Sequence, residues 1–224
     1  MAFIPLFVNP KGLNVVVFGG GGIGAKRARM FAEAGARVCI VALEFSREAE
    51  DLSRRGLATL VRLDVLSSRG REEALRLIEG ADIIVIATSS PQANDAVYKM
   101  ALERKKLINN AADASKGNII VPFTGEAVGF HVAVTTLGKS SIAAKHALRK
   151  LLETIRADKS LQALLDSLSR IKQELKLTVK DPRERMTLYR AIEADKGFWE
   201  AVDKGDGGEA YRRAKKIIEQ RKSP

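Results

Sequence analysis

A single cysteine, Cys39, occurs in 224 residues. One thiol excludes an intrachain disulfide and a cysteine-cluster metal site, and it fits a reducing, cytoplasmic setting. Histidine is almost as scarce, with only His131 and His146, too few for a multi-histidine centre, so no bound metal is expected. Aromatic residues make up 5%, which leaves few platforms for stacking bases, and no nucleic-acid motif is present. No apolar run approaches the ~20 residues of a membrane span. The opening Met1-Ala2-Phe3-Ile4 has no basic leader, so a signal peptide is not expected. Nucleic acid and membrane are therefore not expected partners.

Positive charge is in excess. There are 38 Lys and Arg against 27 Asp and Glu, a net charge of +11. The excess is spread out, with +7 over residues 1–150 and +4 over residues 151–224. The plain reading is a solvated basic surface. The sharper one is an anionic ligand, such as a small molecule carrying many carboxylates. With 46% apolar residues, the chain can bury the core of one large domain or two small ones.

The most informative stretch is Val15-Val16-Val17-Phe18-Gly19-Gly20-Gly21-Gly22-Ile23-Gly24. It reads as a buried strand entering a glycine turn, followed by a helix over residues 25–34. Gly19, Gly21 and Gly24 have the dinucleotide-binding spacing. The first permits the tight turn, the second a close approach of pyrophosphate, and the third close packing of helix on strand. A helix start also offers free N–H groups and a positive dipole end. A glycine-rich turn that binds no nucleotide is the plainer alternative.

Strand and helix alternate through the first half. Strands are predicted at 14–18, 37–42, 59–63, 82–88 and 107–109, with helices between them. The run Asp82-Ile83-Ile84-Val85-Ile86-Ala87-Thr88 is unbroken and apolar, as the middle of a sheet covered on both faces requires. The alternation predicts a Rossmann-type, doubly wound parallel sheet of the α/β class. After Asp113 the pattern changes. Strands at 118–121 and 130–136 predict a small separate sheet. A helix over 140–156 and four more helical pieces follow, one of them with Leu161, Leu164, Leu165, Leu168, Ile171 and Leu175 on one face. The expected division is a dinucleotide-binding domain over 1–112, a small α+β segment over 113–146 and a helical domain over 147–224.

Three further positions carry possible chemistry. Glu44 lies twenty residues after Gly24, where an acidic residue bonds the ribose hydroxyls of NAD. Arg47 nearby could instead receive a 2′-phosphate, and a solvated loop residue is the plainer reading of Glu44. Thr88 ends the fourth strand at the carboxyl edge, where its hydroxyl can face a cofactor. Ser89 or Ser90 beside it could cap the next helix. Asp113 closes the uncharged run Asn109-Asn110-Ala111-Ala112 and could act as a general base or simply form a turn.

Taken in order, these pieces resemble the precorrin-2 dehydrogenase family, the dehydrogenase/ferrochelatase module of siroheme synthases. The match runs over residues 3–152. It begins with Ile4-Pro5-Leu6-Phe7, the family's opening strand, and continues through the glycine turn with Lys26, Ala28 and Arg29. It then takes in Glu33-Ala34-Gly35-Ala36-Arg37-Val38, Ala42-Leu43-Glu44-Phe45, and Ala87-Thr88 with Pro91 and Asn94. Asn110-Ala111-Ala112-Asp113 and the Gly138-Lys139-Ser140 turn complete it. The chain departs from the family at Leu43 and Ser141, where proline is common.

The resemblance implies that precorrin-2 loses a hydride to NAD, with release of protons, to give sirohydrochlorin and NADH. It assigns Asp113 as catalytic and Gly19, Gly21, Gly22, Ile23, Gly24, Leu43, Glu44 and Thr88 to the cofactor. A carboxylate-rich macrocycle gives the basic balance a purpose. The family also implies a homodimer joined through the middle segment. Two alternatives remain: iron or cobalt insertion into sirohydrochlorin at the same cleft, and an NAD-sensing regulatory module. Ser140 matches a position that carries phosphate in some relatives, although a helix N-cap is the plainer role.

Overall fold

Short β-branched runs followed by capped helices build the first half. The computed structural model describes residues 3–222. The strands are β1 (Asn14–Phe18), β2 (Arg37–Ala42), β3 (Thr59–Arg62), β4 (Ile83–Ile86) and β5 (Leu107–Asn110). They form one sheet in the order β3-β2-β1-β4-β5, and every neighbouring pair is parallel. Helices α1 (Gly22–Glu33) and α2 (Arg47–Arg54) cover one face, and α3 (Ser68–Glu79) and α4 (Pro91–Glu103) cover the other.

The alternation of side chains along β1 explains the two cores. Val15 and Val17 pack with Phe31, Ile40 and Leu52 on one face. Val16 and Phe18 pack with Ile78, Val97 and Met100 on the other. All four residues of β4 are buried, because β4 lies between β1 and β5 with helices on both sides. Strand order reverses between β1 and β4, and in such sheets the ligand crevice opens outside the carboxyl ends at that point.

Two sequence expectations need correction. Residues 4–7 form no strand, and Ile4, Leu6 and Phe7 are 78%, 73% and 73% exposed. Both edges of β1 are already taken by β2 and β4, and Pro5 has no N–H to give a ladder. Residues 118–121 also form no strand. The N–H groups of Asn118 and Ile119 both donate to the Ile108 carbonyl, at 3.0 and 3.1 Å, while Ile119 and Val121 pack on the first core. The short sheet instead pairs β6 (Phe123–Ala127) with β7 (Phe130–Val134), antiparallel.

The β6–β7 loop is the pair Val128-Gly129, both at positive φ, 52° and 80°. That twist suits a two-residue hairpin, and a β-branched residue there is strained. Glu126 faces His131 across the ladder, with Nε2 3.9 Å from Oε2.

The chain divides into two compact units after Val121. In the second, α5 (Ser141–Ala157) packs against the hairpin, and a Cβ at Gly125 would lie 2.5 Å from Leu152 Cδ1. Helices α6 (Lys159–Thr178), α7 (Pro182–Glu193), α8 (Lys196–Asp203) and α9 (Gly207–Lys222) enclose Ile171, Leu175, Ile192, Phe198 and Ala214. No described helix is long and apolar enough to cross a membrane.

Asp195 ties this bundle together. It caps α8 by accepting from Phe198 N at 2.7 Å, and it takes both Arg213 Nε and Nη2 at 2.8 and 2.9 Å. Those bonds, the Arg213 contact foremost, hold its carboxyl below the usual range. Asp195→Ala is expected to cost about 1–2 kcal/mol from the cap alone, read by urea melts at neutral pH. Because the folded pKa is depressed, the contribution is complete above the ordinary carboxylate range and disappears as pH falls through the folded value. The gap between wild type and variant therefore closes in acid.

Candidate functional site

The glycine turn leaves β1 at its carboxyl end. Gly19 has φ +126°, and a Cβ there would overlap the Ala87 carbonyl, so β4's end passes directly against the turn. A Cβ at Gly24 would overlap the Gly19 carbonyl. Gly21 and Gly22 differ, because a Cβ on either meets nothing within 4 Å. Gly21 is the N-cap of α1 and makes no side-chain cap bond. The first N–H groups of α1 thus have no intrahelical or side-chain cap acceptor among the described residues, and the space over Gly21 and Gly22 is open. That combination fits the diphosphate of a dinucleotide. Ile23, 61% exposed, stands beside this opening.

The sequence pattern passed over Gly20. A Cβ on it would overlap the Glu44 carbonyl, and its own carbonyl accepts from Ser46 N at 2.8 Å. Gly20 therefore seats the loop after β2 against the turn. In that loop Leu43 is exposed, and its carbonyl accepts from Arg62 Nη1 at 2.6 Å. Arg62 also lies over the Phe45 ring, 5.8 Å from its centroid. Glu44 is exposed and makes no salt bridge among the described residues. Arg47 is also exposed at the start of α2.

Thr88 follows β4, and its hydroxyl is already engaged. Oγ1 lies 2.7 Å from Asn94 Oδ1 and accepts from Ser90 N at 3.2 Å. Asn94, buried on α4, also accepts from Thr88 N and donates to the Thr88 carbonyl. These bonds lock the turn at the end of β4. Of the two cap candidates, Ser90 caps α4 through Ala93 N. Ser140 likewise caps α5 through Ala143 N at 3.1 Å.

Asp113 comes after β5. Buried Asn110 sets its approach, with Oδ1 accepting from both Ala112 N and Asp113 N. The Asp113 carboxylate accepts from Ser115 Oγ at 2.6 Å and Ser115 N at 3.0 Å, capping a single 3₁₀ turn over Ala114–Lys116. The Ser115 hydroxyl and then its N–H hold the carboxyl below its ordinary range. Asp113 is thus both a turn former and an ionised carboxylate open to solvent. It lines a cavity of about 220 Å³ with Pro91, Asn94, Asp95, Asn110, Ala112 and Lys116.

Asp95 and Lys116 were not legible as site residues, because they lie 21 residues apart and meet only in the fold. Cys39 carries no chemistry here, since burial pushes its thiol up and leaves it a poor nucleophile. Among the described residues, no three His, Cys, Asp or Glu side chains come together as a metal site.

Comparison with known proteins places the family and the fold. A family model described as "Putative NAD(P)-binding" matches residues 6–123. Precorrin-2 dehydrogenase of Methanosarcina barkeri (strain Fusaro) is 30% identical over 207 residues, covering 90% of this chain and 89% of that protein. Siroheme synthase of Chromobacterium violaceum is 29% identical over 96% of this chain, which spans 43% of that longer protein. The solved structure of SirC, precorrin-2 dehydrogenase, matches with a TM-score of 0.70 at 24% identity, over 96% of this chain and 100% of SirC, and so shares the fold. A dinucleotide cradle on a doubly wound sheet, matched over most of its length to such relatives, makes this chain a member of the precorrin-2 dehydrogenase and siroheme synthase N-terminal family, with an NAD(P)-binding domain.

Proposed function

We propose that this chain oxidises precorrin-2 to sirohydrochlorin with NAD. The observation that carries the reading is the position of Asp113. It is an ionised carboxylate in a cavity at the carboxyl edge of the same sheet whose glycine turn forms the cradle. Bound NAD supplies the hydride acceptor. The chain's own residues supply position and charge. Gly19, Gly21, Gly22, Ile23 and Gly24 hold the diphosphate, and Leu43 and Glu44 the adenosine end. Thr88 and Asn94 fix the wall between cradle and cavity. Loss of the hydride leaves a cationic macrocycle, which must also shed a proton. Asp113 faces that charge and takes the proton.

Glu44 supports NAD over NADP, because its exposed carboxylate would repel a 2′-phosphate and bond two ribose hydroxyls. The test is purified chain with precorrin-2 and either nucleotide, run with and without ferrous ion. One NADH per sirohydrochlorin is expected. NADP should be used about 10–100-fold less efficiently, the value of a charge-assisted contact. Glu44→Ser should narrow that gap, with Arg47 already beside the site. No reduced nucleotide with either cofactor would overturn the reading, and metallation above the uncatalysed rate would add the chelatase activity.

The three-part division is also proposed in functional terms. Residues 1–112 bind cofactor, 113–146 carry Asp113 and join two copies, and 147–224 form the helical domain. The β6–β7 hairpin supports the dimer: among the described residues it is a sheet of only two strands, whose outer edges a second copy could extend. A monomer by light scattering at micromolar concentration would count against it.

A further inference from the structure

The cavity beside Asp113 has a charge problem. Two carboxylates, Asp95 and Asp113, line it together with one cation, Lys116. A ligand rich in carboxylates would be repelled unless that cation can turn to it. Lys116 Nζ lies 3.3 Å from Asp95 Oδ1, and the two side chains are 47% and 39% exposed. An ion pair so open to water contributes little to stability and exchanges readily. Asp95 does not depend on it, because Lys99 Nζ sits 2.9 Å from the other oxygen, Oδ2. Asp113 does not depend on it either, since Ser115 satisfies one oxygen twice. Both acids keep a partner when Lys116 departs. Its backbone stays anchored through Lys116 N to the Asp113 carbonyl at 3.0 Å, so only the flexible side chain has to move.

We propose that Lys116 receives a carboxylate of the tetrapyrrole, exchanging Asp95 for the substrate and seating the macrocycle edge at Asp113. The proposal rests on the dehydrogenase reading above and names a substrate-binding residue for it. Lysine fits this task better than a rigid fork would, because its ammonium is a point charge on a four-carbon stem that can follow either partner.

The test has two readouts. The full chain is titrated with sirohydrochlorin, followed by the absorption band of the ligand, and steady-state rates are measured with precorrin-2 and NAD. Lys116→Met is expected to weaken sirohydrochlorin binding about tenfold and to raise the KM for precorrin-2 in proportion, as loss of a charge-assisted contact requires. The kcat should change far less than KM, and NAD affinity should stay at the wild-type value. Lys116→Arg should retain most of the affinity. Lys172→Met, an exposed lysine on α6, controls for net charge and should bind as wild type does. Undiminished sirohydrochlorin binding by Lys116→Met overturns the proposal, as does a loss confined to kcat or shared by NAD. Wild-type chain that neither binds nor oxidises the tetrapyrrole overturns the dehydrogenase reading with it.

Discussion

Asp113→Asn is expected to lower kcat by about 10²–10⁴-fold, the usual contribution of a positioned acid or base, while NAD binding stays at the wild-type level. Asparagine preserves the turn, because its side-chain oxygen can still accept from Ser115 N and Oγ as Asp113 does. What disappears is the negative charge facing the substrate and the capacity to take a proton. Stopped-flow reduction of NAD separates this step from binding. The pH profile gives a second check. Ser115 holds the Asp113 carboxyl below its ordinary range, so the carboxylate persists through neutral and mildly acidic solution. Its contribution is complete above the ordinary carboxylate range and is lost only as pH falls through the depressed value. The acid limb of kcat/KM in wild type should therefore lie at the lower value. In Ser115→Ala it should move to higher pH with the neutral rate retained. Full activity in Asp113→Asn would remove this residue from the mechanism.

Gly24→Ala should damage the cofactor half strongly. The added carbon would overlap the Gly19 carbonyl, which is backbone and cannot swing away. Gly19 in turn lies at φ +126° with the Ala87 carbonyl against it, so any shift passes to β4. Overpacking of this kind costs about 1–3 kcal/mol, and the displaced turn should also lose measurable NAD binding. Gly21→Ala makes the contrast. Its Cβ meets nothing within 4 Å, so thermal melts without nucleotide should fall far less than in Gly24→Ala, by the N-cap preference for glycine over alanine alone. The space it fills is the space the diphosphate needs, so NAD should no longer raise the melting temperature. Equal stability loss in both variants would mean that the turn does not divide its work in this way.

The sequence pattern treats Gly19, Gly21 and Gly24 as equivalent marks at set spacing, and in three dimensions they are not. The spacing was legible because strand, turn and helix are local. The separation of packing glycines from one that borders open space was not, because it depends on Ala87 and Glu44, which follow β4 and β2. Gly20 shows the same limit, since nothing local in its run says that the loop after β2 will close on it. The strand expected at 118–121 failed for a related reason. Ile119, Ile120 and Val121 are apolar enough for a strand, but the N–H groups of Asn118 and Ile119 are both spent on a single carbonyl, Ile108.

At the candidate site the division is similar. That Asp113 closes an uncharged run at the end of a strand was legible, but the turn of the Asn110 side chain back onto the Ala112 and Asp113 N–H groups was not. The Lys99–Asp95–Lys116 bridge was not, because one lysine comes from α4 and the other from the 3₁₀ turn after β5. By itself the sequence determined the alternating parallel fold, the glycine turn after its first strand and the place of Asp113 after its fifth. Each follows from hydrophobic period, turn chemistry or spacing over a few residues. The tertiary structure alone decided which glycines carry packing, which hydroxyls already hold a partner, and which cation sits beside Asp113. Those depend on which distant backbone or side chain fills the neighbouring space, and local pattern holds no record of that.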